Sequence, residues 1–263
     1  MQQAYYAVAL QFGAIVSIAT SSILNVFWKE IAEAHHQENQ ERIMKLYRRV
    51  SRGLFLVTSS MAGFLLPWSG DILLMTLGPA YVDGAIVLAI MFTYPIHQSM
   101  GQLGAAILYA TGQVRVQVVF GILTMASSIL VTYFVLAPEN ASIPGFGFGS
   151  VGLAAKTVLL QFVAVNAVAL YLTRRTQIGF DSLNQLICIL GSFSSGWLAY
   201  FISNYYYFEL GQIWARLLMA VIVHSLVMLA IIWVAPSLTG LSRSELLSMI
   251  RSMFRMQLSH NNH

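Results

Sequence analysis

Charged side chains are scarce in this chain of 263 residues: 9% are Asp, Glu, Lys or Arg, against about 25% in an ordinary soluble domain. The scarcity is segmental. None of the four types occurs at 1–28, 53–70, 84–114, 116–138, 157–173, 182–208 or 217–242, which excludes a soluble globule. Cysteine is nearly absent too: Cys188 stands alone, so no intrachain disulfide can form. The apolar runs do not alternate with period two, which argues against a β-barrel. Gly-x-Ser-x-Gly, His-Glu-x-x-His and Asp-rich motifs are missing, and the ten acidic residues sit in loops or near the ends of apolar runs. With no nucleophile beside a base and no metal-holding carboxylates, the chain reads as a non-enzyme with neither metal nor cofactor.

What remains is apolar, at 57% hydrophobic residues and a mean hydropathy of +0.70. A helix crossing the ~30 Å hydrocarbon layer needs about 20 such residues, and it satisfies its own backbone hydrogen bonds where lipid cannot. Seven spans are expected, near 4–28, 53–76, 84–111, 115–137, 150–173, 183–203 and 210–235. The fold class is therefore an all-α, polytopic transmembrane bundle. Residues 1–240 form the transmembrane domain. Residues 241–263 form a cytoplasmic tail, with Leu246, Met249, Ile250, Met253 and Phe254 at the helical spacing of a membrane-surface segment. The first span is too long for a signal-peptide core and lacks its basic start and cleavage site, so it is expected to stay in the mature protein.

If the spans alternate in direction, 12 of the 14 basic residues fall in one set of loops and the tail. The opposite loops carry none; Lys156 and Arg216 lie inside spans. By the positive-inside rule the N-terminus is outside and the C-terminus cytoplasmic. Topology thus accounts for the net charge of +4, and no compact basic patch is left for nucleic acid. In the longest inner loop, Lys29–Arg52, Glu38 precedes Arg42 by four and Glu41 precedes Lys45 by four, as in a solvated surface helix. Neighbouring His35 and His36 diverge on a helix and lack a third ligand. Asp71 and Asp83 read as solvated carboxylates flanking a short outer connection.

Polar residues inside the spans are the candidate site. In the first span Gln11, Ser17, Ser21, Ser22 and Asn25 share one face. In the third, Tyr94, Gln98 and Gln102 recur at four-residue steps beside His97, and Pro95 is placed to kink the helix. Such groups either join neighbouring helices or line an aqueous path. Lys156 and Arg216 each lie six residues in from the outer end of a span, roughly 9 Å deep at ~1.5 Å per residue. Either they face a shared cavity and attract an anion, phosphate being the obvious one, or they snorkel to the interface. Glu209 is within reach of Arg216 as a weak partner. His97 and His224, near mid-membrane, are candidates for proton coupling or for packed neutral imidazoles.

Five stretches taken in order, AYYAVALQFGAI at 4–15, KLYRRVSRGLFL at 45–56, ILLMTLGPAYVDGA at 72–85, ILYATGQVRVQ at 107–117 and FGFGSVGLAAKTVL at 146–159, carry a resemblance. Together they resemble the C-terminal half of polysaccharide flippases of the multidrug/oligosaccharidyl-lipid/polysaccharide exporter superfamily. The likeness covers 4–173, and the last two spans fit by hydropathy. It implies one lobe of an alternating-access exporter in the bacterial inner membrane. That exporter would move undecaprenyl-diphosphate-linked oligosaccharide across the membrane for surface polysaccharide such as O-antigen or exopolysaccharide. Lys156 and Arg216 would then meet the diphosphate, and Tyr94, Gln98 and Gln102 the sugar hydroxyls. The expected partners are the lipid-linked oligosaccharide, membrane lipids and a missing N-terminal lobe or second subunit. Two other readings stand beside it: a multidrug or cation exporter of the same superfamily, and a non-transporting scaffold for glycan-synthesis enzymes.

Overall fold

The computed structural model describes residues 2–176, 181–206, 213–241, 243–245 and 248, with the side chains at 15–17, 19, 21–23 and 176 outside that description. Among the described residues the regular structure is helical: α1 (Gln2–His36), α2 (Gln40–Leu65), α3 (Ser69–Leu77), α4 (Ala85–Met91), α5 (Tyr94–Ala110), α6 (Val114–Leu136), α7 (Gly149–Thr176), α8 (Ser182–Tyr206) and α9 (Ile213–Val234). Short 3₁₀ turns at Leu66–Trp68 and Pro79–Gly84 join α2 to α3 and α3 to α4. Six segments are long and apolar enough to cross a membrane: Gln40–Leu77, Pro79–Ala110, Val114–Leu136, Gly149–Arg175, Ser182–Tyr206 and Ile213–Val234. With α1, the chain is an all-α bundle of about seven spans, and the protein is membrane-embedded.

Two boundaries depart from the expected ones. The inner loop is not a separate surface helix: α1 runs on to His36 and α2 begins at Gln40, so only residues 37–39 turn. Glu38 takes that turn at a φ of 53°, and the Asn39 side chain caps α2 by accepting from the Arg42 backbone N–H at 2.9 Å. Arg42 therefore pairs across the hairpin with Glu30 at 2.8 Å and Glu33 at 3.6 Å, rather than with Glu38 along a helix. The third span is broken, not bent. Pro95 lacks an N–H and its ring would strike a carbonyl one turn back, so α4 stops at Met91 and Pro95 falls in the first turn of α5. Thr93 fills the break, its hydroxyl donating to the Ile90 carbonyl at 2.7 Å.

The helices pack in sequence across the bundle: α9 on α8, α8 on α2, α2 on α1 and α5, those on α7, and α7 on α6 at the far edge. Apolar packing centres on Ile31, Leu54, Ile96, Leu103, Ile107 and Leu172, all nearly inaccessible. Lipid is as apolar as these side chains, so close contact rather than water exclusion holds such helices together. The α2–α8 seam shows how close. Ser192, Gly196, Ala199 and Ser203 form a buried small-residue stripe on α8, facing Ser59 and Gly63 of α2. A Cβ on Gly63 would lie 2.5 Å from the Ser192 carbonyl oxygen, and one on Gly196 would collide with the Gly63 carbonyl. The backbones touch directly. At the end of the seam nearest Arg52, that residue pairs with Asp181 at 2.8 Å and donates to the Ser237 carbonyl at 3.1 Å, joining α2 to the start of α8 and to the turn after α9.

Candidate functional site

α6 buries none of its residues, yet both of its ends are tied, one to α7 and the other by its own loop. At one, the Tyr171 hydroxyl of α7 donates to the Gln113 side chain at 2.9 Å. At the other, the 138–149 loop folds back, with Phe146, Gly147 and Phe148 donating backbone N–H groups to the Phe134, Ala137 and Val135 carbonyls at 2.8 to 3.0 Å. Between these ties four of the facing residues are small, Gly101 and Ala105 on α5, Gly121 on α6 and Ala164 on α7. Helices pinned at their ends and short of side-chain bulk in the middle leave a gap. That gap is a half-open trough of about 730 Å³, within the range of ligand sites.

The polar residues of three helices converge on it. α5 contributes Tyr94, Gln98 and Gln102, α6 contributes Gln117, Thr124 and Ser128, and α7 contributes Lys156, Thr157 and Gln161. Lys156 donates to the Ser128 hydroxyl at 2.7 Å, across the α6–α7 interface. None of the ion pairs among the described residues includes it, so its charge is uncompensated at the trough wall. One residue on, Thr157 shares a hydrogen bond of 2.9 Å with the Tyr6 hydroxyl, which steadies this end of α7 against α1. The carbonyl oxygen of Gln117 is buried without any hydrogen-bond partner.

Four of the candidate residues, Tyr94, Gln98, Gln102 and Lys156, thus line one cavity. Arg216 does not. It is buried on α9, 3.6 Å from Asp71 of α3, with its guanidinium over the Trp68 ring at 5.4 Å. Neither a cavity shared with Lys156 nor snorkelling describes it, and Asp71 is not a solvated interface carboxylate but its ion-pair partner, with a side chain 22% exposed. Depth along a span fixes a level and leaves the direction open, so equal depth does not bring the two cations together. Glu209 lies outside the described residues.

The histidines separate as well. His224 is buried among α2, α8 and α9, its Nε2 3.0 Å from the Ser60 hydroxyl and its Nδ1 2.9 Å from that of Ser195. His97 points away from the trough on α5, edge-on to Phe162 at 5.1 Å, beside a smaller cavity of about 70 Å³ shared with Tyr47, Asn166 and Gln185. In the first span Gln11 and Asn25 are exposed, while the side chains of Ser17, Ser21 and Ser22 lie outside the described residues, as does most of the tail. No group of three or more His, Cys, Asp or Glu among the described residues is placed to hold a metal.

Gln117 and Gln161 were missed because each is a lone amide in an apolar run. Helical phase would have found the first: Gln117, Gly121, Thr124 and Ser128 follow steps of four, three and four along one face of α6. Comparison of the chain with family models, curated proteins and solved structures returns no match.

Proposed function

We propose that the chain is a flippase, or one lobe of a flippase, for an undecaprenyl-diphosphate-linked oligosaccharide in the bacterial inner membrane, with its N-terminus outside and its C-terminus cytoplasmic. The observation that carries this is the trough: an unneutralised ammonium beside hydroxyls and amides, in a wall that is otherwise apolar. An intramembrane cation facing a cavity marks an anionic guest, and amides and hydroxyls match the neutral hydroxyls of sugars. Lys156 takes the role of diphosphate contact alone; Arg216 holds the fold. The trough is open on one side, which suits a site completed by a second lobe or subunit. Its basic loops and the described resemblance support the orientation and the membrane. A cation exporter is the weaker reading, because no acidic residue among those described lines the trough.

The test is Lys156→Ala in cells whose surface polysaccharide depends on the gene, with purified protein assayed for flipping of a fluorescent lipid-linked oligosaccharide in vesicles. Losing one charge-assisted contact of about 1.5 to 3 kcal/mol should weaken binding of a prenyl diphosphate by about 10- to 100-fold, and Lys156→Arg should recover part of it. A scaffold would tolerate both substitutions. Wild-type surface polysaccharide with Lys156→Ala would overturn the proposal.

A further inference from the structure

The trough has two chemically different ends, and two amides of one of them, Gln102 and Gln161, form no hydrogen bonds of their own among the described residues. On α7, Gln161 follows Lys156 by five residues, about 7 to 8 Å along the axis. On α5, Gln102 lies two turns beyond Tyr94, about 12 Å by the same rise. The two amides are therefore offset from the ammonium along the trough. Neither Gln102 nor Gln161 makes a hydrogen bond among the described residues, and the Gln117 carbonyl oxygen, further along the same trough, is without a partner. The seat of Gln161 is built: its Nε2 occupies the space over Gly101, where a Cβ would lie only 2.9 Å from it.

Resting on the flippase reading above, we infer that the guest is held at two points. The anionic group sits at Lys156, and Gln161 and Gln102 hold the first uncharged, hydroxyl-bearing units. A carboxamide offers a donor and an acceptor side by side, which suits neighbouring hydroxyls on one ring, but it carries no charge with which to compete for the anion. Recognition is thereby divided: the Lys156 end responds to any prenyl diphosphate, and the amide end distinguishes a glycosylated one from a bare one. Gly101 is the specificity-setting position between them, because any side chain there displaces the Gln161 amide.

The experiment compares two ligands, farnesyl diphosphate and farnesyl diphosphate bearing a disaccharide, binding to the purified full chain in lipid nanodiscs. In the wild type the disaccharide should tighten binding. Gln161→Leu and Gln102→Leu should each reduce that gain by about three- to tenfold, the worth of a neutral hydrogen bond, and leave farnesyl diphosphate binding unchanged. Gly101→Ala should act as Gln161→Leu does, with both amides still present. Lys156→Ala should weaken both ligands alike. An undiminished disaccharide gain in the two leucine variants overturns the inference while leaving the flippase reading intact, as does an equal loss for both ligands. Failure of the wild type to bind farnesyl diphosphate, or an unaltered affinity in Lys156→Ala, overturns both.

Discussion

Gly196→Leu is expected to yield little folded protein, because the seam it enters has no room for a side chain. A Cβ at Gly196 would overlap the carbonyl of Gly63, which is backbone and cannot rotate aside. Relief requires α2 and α8 to separate along the seam made by Ser59, Gly63, Ser192 and Ala199. Overpacking a core with adaptable side chains costs about 1 to 3 kcal/mol; with backbone on the receiving side, the loss should reach or pass the top of that range, a large part of the ~5 to 15 kcal/mol that holds a domain together. The check is thermal unfolding in detergent, with Gly121→Ala as control. A Cβ at Gly121 meets nothing within 4 Å, so that variant should melt at or above the wild-type temperature, since alanine favours helix over glycine by about 1 kcal/mol. Equal melting of Gly196→Leu and wild type would refute the close approach.

The second large effect is expected at Arg216. Removing one member of a buried ion pair strands the other, at about 3 to 5 kcal/mol when both are fully buried; Asp71, with 22% of its side chain exposed, would lose its cation at a cost toward or below the bottom of that range. Arg216→Ala should therefore lower the melting temperature sharply, and adding Asp71→Asn should restore part of the loss. Lysine is a poor replacement because a guanidinium can lie flat on the indole and an ammonium cannot. The same variant separates the two cations by function. Arg216 is remote from the trough, so whatever folded protein remains should bind farnesyl diphosphate as the wild type does. A selective loss of that affinity with unaltered melting would return Arg216 to the substrate site.

The contrast between those cations shows what a linear sequence conveys about such a bundle. Span positions follow from length and charge gaps, and the four-residue step of Tyr94, Gln98 and Gln102 placed these residues on one face of α5, where they do line the trough. The break before Pro95 was legible as a kink because the chemistry is local. Which helices face one another is not local. Lys156 is next to Ser128 and Arg216 next to Asp71 because α7 packs on α6, and because the turn at Leu66–Trp68 carries α3 toward α9. The α2–α8 seam was equally hidden. Small residues with serines among them read as weak polarity in a span, and their meaning appears only when two such stripes meet.

The exposed helix α6 has one more consequence. Its 23 residues extend about 35 Å at ~1.5 Å per residue, slightly more than the ~30 Å hydrocarbon layer, a mismatch that helices relieve by leaning or flexing. One end of α6 is tied to α7 and the other closes on its own loop, and the midsection between them, with Gly121 and Thr124, forms the trough wall. A change in bilayer thickness that shifts α6 against α7 would therefore be felt at the trough wall.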